Sequence, residues 1–147
     1  MASKIEPKKY TLESMFSIRD KTVIITGASR GLRESTTSVF SCLGEKIVLA
    51  SRGTLEFPIF DAGGQQDSQD CLRIAADVRM QEQVYRMVQI TIKKFGQIDV
   101  LINNAGIFLP SLPENIAEED WDVTIDTNLK GPFLCAQTVG KIMTAQN

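Results

Sequence analysis

The chain has 147 residues, enough for one domain with a hydrophobic core and too few to promise a second. Hydrophobic residues at 43% and charged residues at 23% suit an ordinary globular protein, and a net charge of -2 gives no electrostatic case for nucleic acid or an anionic membrane. Histidine is absent, so His-dependent triads and His-ligated metal centres are excluded from these residues and no metal site is expected.

Residues 1–17 are polar, mixed in charge and contain Pro7, and they read as an arm ahead of a domain spanning 18–147. The arm lacks the apolar core of a signal peptide. No stretch of the chain approaches the roughly 20 apolar residues of a membrane span, so a cytoplasmic protein is expected. Four short apolar runs follow: TVIIT (22–26), KIVLA (46–50), CLRIAA (71–76) and IDVLIN (98–103). Such runs, rich in β-branched residues and nearly continuous, are what strands covered on both faces require.

Between the first two runs, Leu32, Thr36, Val39, Phe40 and Leu43 recur at helical spacing, with Gly44 as a left-handed stop. Pro58 and the Gly63–Gly64 pair leave at most a short or broken helix between the second and third. Val84, Val88, Ile92 and Phe95, stopped by Gly96, predict a helix between the third and fourth. After the fourth run a long helix is expected from about Glu118, its acidic first turns matching the macrodipole. Trp121, Ile125 and Phe133 on it are expected to pack into the core. The strand–helix alternation predicts an α/β fold with a doubly wound parallel sheet, Rossmann-like and incomplete at about four strands. Cys42, Cys71 and Cys135 are odd in number and widely spaced, which suits core filling better than a disulfide framework or zinc.

Chemistry concentrates in the turns after the strands. In TGASRGLR, Gly27 permits a tight turn and Gly31 lets backbone N–H groups approach a pyrophosphate at a helix amino terminus; a purely structural turn would also use both. At the end of the second run stand Ser51 and Arg52 where a carboxylate would bind a ribose 2′-hydroxyl and repel a 2′-phosphate. With Arg30 in the glycine loop, two guanidinium groups favour NADP(H) over NAD(H), the alternative being solvated surface charge. Near Asn128, Pro132 has no N–H to return to the Asn128 carbonyl and Gly131 adds to the expected kink, which leaves that carbonyl open to water; a bend without chemistry is the other reading.

Taken together, TGASRGLR, ADV, NNAG and TNLKGPFL resemble the short-chain dehydrogenase/reductase family in order and spacing, from about Phe16 to the end of the chain. The family pattern TGxxxGxG is matched at Thr26, Gly27 and Gly31 and broken at Arg33, where a long charged stem replaces a glycine. The resemblance implies that Thr26, Gly27, Ser29, Arg30, Gly31 and Leu32 hold a dinucleotide together with Ser51 and Arg52. It further implies that Asp77 and Val78 border the adenine, although Asp77 could instead cap a loop. Asn104, Ala105 and Gly106 would line the cofactor site while tying the loop together, and Asn128 would serve a catalytic proton relay.

The family's catalytic pair, Tyr-x-x-x-Lys, is not in these residues: four positions after Tyr10 and Tyr85 stand Ser14 and Gln89. The resemblance therefore implies the cofactor-binding half of an oxidoreductase, acting on a small carbonyl or alcohol only when completed, with homo-oligomer pairing through the last helix. The alternative is a truncated, non-catalytic relative that binds nucleotide or pairs with another subunit.

Overall fold

A computed structural model describes residues 17, 19–28, 46–53 and 70–146. Four parallel strands form one sheet: β1 (Thr22–Thr26), β2 (Lys46–Ser51), β3 (Cys71–Ala75) and β4 (Val100–Ile102), in the order β3-β2-β1-β4. The register sets Ile24 beside Val48 on one side and Leu101 on the other. Every residue of β1 is buried, as expected for a central strand with both faces covered.

Alternation along the strands divides the core in two. Ile24, Val48, Ala50 and Ile74 face one cluster; Val23, Ile25, Ile47 and Leu49 face the other. The first cluster is closed by α1 (Gln81–Phe95) through Val84, Met87 and Val88, and by α3 (Gly131–Ala145) through Leu134, Cys135 and Val139. α1 runs where the apolar spacing predicts and ends at Gly96, whose φ of 82° is the left-handed stop. The helices expected over 32–43 and within 54–69 lie outside the described residues, as does the arm apart from Ser17.

The fourth strand is shorter than its apolar run. Ile98 is buried, but its N–H and carbonyl both bond the side-chain amide of Gln146 at the end of α3, at 2.9 Å each. Asp99 turns to cap β1, accepting from the Thr22 N–H (2.9 Å), Lys21 (3.0 Å) and Gln97 (2.8 Å). Burial pushes the Asp99 carboxyl up, yet those hydrogen bonds outweigh it and hold its pKa below the ordinary value.

The long final helix begins at Glu118 as expected, but in three parts: α2 (Glu118–Ile125), a π-helical turn (Asp126–Lys130) and α3. At the junction the Gly131 N–H reaches back five residues to the Asp126 carbonyl. The missing N–H of Pro132 fits this wider turn. Trp121 and Phe133, expected in the core, are 57% and 59% exposed, and Ile125 is half-buried. Their apolar type was read correctly; the side of the helix that meets the sheet is set instead by Leu134, Cys135 and Val139. Cys135 is buried, which raises its thiol to about 11, and Cys71 is half-buried; neither forms a disulfide. Cys42 lies outside the described residues.

Candidate functional site

Strand order reverses between β1 and β4: the chain leaves β1 for β2 and β3 on one side, then returns to β4 on the other. In an open parallel sheet the crevice beyond the carboxyl ends of the strands at such a reversal is where ligands bind. Two sequence motifs meet there. Gly27, at φ 69°, lies so close to Ala105 that a Cβ on it would stand 2.5 Å from the Ala105 Cα and 2.8 Å from its nitrogen. The chain is also bent over β2 here, because the Gly27 and Ala28 N–H groups both bond the Ala50 carbonyl.

Thr26 ties the motifs together. Its buried hydroxyl accepts from the N–H groups of Asn104 and Ala105, both at 3.1 Å, and donates to the Ile102 carbonyl at 3.4 Å. That uses its one donor and both lone pairs. The Asn104 amide adds a bond to the Thr26 carbonyl at 3.4 Å. Thr26 thus positions the crevice walls from within.

On the far side of NNAG, Asn128 grips the next residue with both ends of its carboxamide. Its Oδ1 accepts from the Ile107 N–H at 2.9 Å and its Nδ2 donates to the Ile107 carbonyl at 2.8 Å. Gly106 lies beside that Oδ1. Asn103 reaches the Pro132 carbonyl at 3.3 Å, so the strand end is bonded to the helix just beyond the π-helical turn. The sequence suggested a bend at Asn128; the Ile107 partner, 21 residues away, carried no local signal.

At the other end of the crevice lie the tips of β2 and β3. Ser51 is buried and turns its hydroxyl onto the Gly53 carbonyl at 2.7 Å, and Arg52 is exposed. Asp77, just past β3, is held by Arg79: Nη2 to Oδ2 at 2.6 Å, Nε to both oxygens at 3.0 Å, and the backbone N–H to Oδ1 at 3.0 Å. The Arg79 side-chain bond is the main cause that holds the Asp77 carboxyl below its ordinary pKa; burial opposes it and Arg52 adds a smaller field. Arg79 was not singled out in the sequence, although an acid and an arginine two residues apart after a strand was the available signal. Val78 is buried against Gly131, where a Cβ would stand 2.6 Å from a Val78 methyl. The helix can approach the turn after β3 this closely only because residue 131 has no side chain.

Of the residues the sequence marks, Thr26, Gly27, Asn104, Ala105, Gly106 and Asn128 are brought together around β1 and β4. Ser51, Arg52, Asp77 and Val78 stand at the β2 and β3 tips. Ser29, Arg30, Gly31, Leu32 and Arg33 lie outside the described residues. A groove of about 510 Å³ between α1 and α3, floored by Val88 and Ile142 and rimmed by Tyr85 and Lys141, contains none of the marked residues. Among the described residues no cluster of Cys, Asp or Glu could hold a metal ion, and no helix is long and apolar enough to cross a membrane.

This architecture, a parallel sheet with glycine- and asparagine-bearing turns facing each other across its reversal point, defines a Rossmann-like α/β protein with an incomplete sheet. The family model for short chain dehydrogenases matches residues 21–147. The chain is 34% identical over 130 residues to an NAD-dependent glycerol dehydrogenase of Listeria innocua, covering 88% of this chain and 50% of that protein. It is 33% identical over 138 residues to a 3-oxoacyl-[acyl-carrier-protein] reductase of Synechocystis, covering 90% and 54%. Its fold superimposes on the 3-ketoacyl-(acyl-carrier-protein) reductase of Brucella melitensis complexed with NADH with a TM-score of 0.73 at 29% identity, covering 86% and 51%. The chain belongs to the short-chain dehydrogenase/reductase family, and it spans about half the length of these relatives.

Proposed function

We propose that this chain provides the dinucleotide-binding part of a cytoplasmic oxidoreductase that prefers NADP(H) and acts on a carbonyl or alcohol. The observation that carries the reading is the crevice itself: Thr26–Gly27 locked to Asn104–Ala105 at the reversal point, with no carboxylate at the tip of β2. In this reading the dinucleotide lies along the crevice. Asp77 and Val78 would border the adenine, the exposed Arg52 would meet a 2′-phosphate together with Arg30, and Ser29, Gly31 and Leu32 would follow the pyrophosphate. Asn104, Ala105 and Gly106 would line the far half.

Such a cofactor, when bound, supplies or accepts a hydride. The chain's own contribution is to orient it and, at Asn128, to hold the wall beside the reacting end while its carbonyl orders a water. Neither tyrosine heads a Tyr-x-x-x-Lys pair, so the full reaction is proposed for a polypeptide in which this half is joined to such a pair. Pairing of copies through the last helix belongs to the same reading, supported by the exposure of Trp121, Leu129 and Phe133.

The test is a titration of the chain with NADPH and NADH. NADPH is expected to bind about tenfold tighter, the worth of one charge-assisted hydrogen bond, with Arg52→Ala removing most of the difference. Equal affinities would remove the NADP(H) preference. Arg33→Gly is expected to tighten binding of both cofactors, because glycine presents only hydrogen to a passing pyrophosphate.

A further inference from the structure

The π-helical turn is touched from both ends of the crevice. From the β3 side, buried Val78 packs on Gly131 so closely that no room for a methyl remains between them: a Cβ on Gly131 would stand 2.6 Å from the Val78 methyl. Arg79, the next residue, grips Asp77 and also feels the Asp126 carboxylate at the start of the π-helical turn. The Gly131 N–H closes that turn on the Asp126 carbonyl. Asn128 lies inside it and, toward β4, holds Ile107 by both ends of its carboxamide.

Neither side of the Val78–Gly131 contact has slack. The Asp77 N–H donates to Gln83 Oε1 at 2.8 Å, its carbonyl accepts from the Met80 N–H at 3.0 Å and its carboxylate from the Arg79 N–H at 3.0 Å. Val78 is therefore flanked by bonded neighbours and moves with Asp77. On the helix side, the buried Thr127 hydroxyl donates to the Val123 carbonyl at 2.7 Å and ties the turn to α2. Opening a contact of this kind by about half an ångström forfeits roughly a quarter of its attraction, so a small displacement at Asp77 is felt at Gly131. Single π-helical turns inside α-helices cluster at functional sites, and this one carries Asn128.

We propose that Val78 is a positioning residue for Asn128: its contact with Gly131 lets occupation of the adenine end of the crevice set the reacting end. The step rests on the dinucleotide reading above, which places the adenine at Asp77 and Val78. The coupling is reciprocal, so order at Asn128 favours adenine binding to the same degree.

Adenosine 2′,5′-bisphosphate, which carries the adenine and a 2′-phosphate and no nicotinamide, tests this on the 15N-labelled chain. It is expected to shift the amide signals of Arg52 and Asp77 by contact and those of Asn128 and Ile107 by transmission, all saturating at one ligand concentration. Compared at saturation, Val78→Ala is expected to cut the shifts at Asn128 and Ile107 to less than about half, because the contact is opened. Adding Gly131→Ala returns a methyl from the other side, 3.1 Å from the remaining Cβ, and is expected to restore them. In the free chain, Val78→Ala is expected to speed hydrogen exchange at the Ile107 amide about threefold or more, while the Ala105 amide, bonded to Thr26, stays within about twofold.

Shifts at Arg52 and Asp77 with Asn128 and Ile107 unmoved, or saturation at different concentrations at the two ends, would overturn the proposal. So would Ile107 exchange that Val78→Ala leaves unchanged, a result that needs no ligand and leaves the dinucleotide reading standing. An absence of shifts at Arg52 and Asp77 removes that reading and the link between the ends together, so the response of those two residues tells the failures apart.

Discussion

The two ends of the crevice are built by different forces. At β1 and β4, close steric contact and saturated hydrogen bonds join residues far apart in sequence: Gly27 on Ala105, Thr26 on Asn104, Asn128 on Ile107. At β2 and β3, charge dominates between near neighbours, with Arg79 on Asp77 and Arg52 close enough to add to its field. The first kind of construction tolerates almost no change in shape, because packed interiors and saturated polar groups have no slack. The second tolerates substitution, since partly exposed ion pairs contribute little to stability and chiefly tune what binds. Under the proposed function, catalytic geometry would rest on the rigid end and cofactor choice on the adjustable one.

Substitutions can break this contrast, and the largest effect is expected at Gly27. Gly27→Ala adds a Cβ 2.5 Å from the Ala105 Cα at a positive φ, and should cost on the order of 3 kcal/mol or more in denaturant unfolding. Ala105→Gly should not rescue it, because the nearest atoms are backbone. Gly131→Ala clashes with the Val78 side chain, its methyl at 2.6 Å and its Cβ at 3.1 Å, and with backbone only at contact distance, the Asp126 oxygen at 3.4 Å; about 2 kcal/mol is expected, with part recovered by adding Val78→Ala, which removes the nearer methyl.

Thr26→Val keeps shape but leaves the Asn104 and Ala105 N–H groups without their acceptor, for a loss of about 1–3 kcal/mol that Thr26→Ser largely avoids. Comparing the urea midpoints of the two variants checks it.

The smallest effect belongs to the charged end. Asp77 and Asp99 both have folded pKa values below their ordinary ones, so each adds stability above the ordinary carboxylate range that is lost as pH falls through the folded value. Arg79→Ala should remove the Asp77 share, under about 1 kcal/mol for a partly exposed pair, and make the fall in stability from neutral to acid pH shallower. An unchanged acid limb would show that the pair does not shift Asp77.

Legibility in the sequence follows the same division. The central strands β1 and β2 and α1 were readable because burial on two faces forces continuous apolar runs, while burial of one helix face forces a 3.6-residue period; the edge strands β3 and β4, only partly buried, still carried apolar runs. The run at 98–103 overstated its strand, since Ile98 is as apolar as a strand residue needs to be and yet bonds Gln146. The exposure of Trp121 and Phe133 was likewise unreadable, because apolarity does not say which neighbour will cover a side chain. Gly27 could be marked as a turn from its motif alone. Its contact with Ala105 and the Thr26 bonds to Asn104 span 78 residues, a separation at which local pattern is silent. At the charged end, by contrast, the strand-end positions of Ser51, Arg52 and Asp77 were legible from residue type and spacing, while the grip of Arg79 on Asp77 was not.

The central claim is that the β1–β4 reversal point receives the dinucleotide. An amide-resolved titration of the 15N-labelled chain with NADPH tests it most directly. Saturable shifts are expected at Gly27, Ala105 and Gly106 and, at the other end, at Arg52 and Asp77. Shifts confined to the groove between α1 and α3, around Tyr85 and Lys141, or no saturable response at millimolar cofactor, would contradict it.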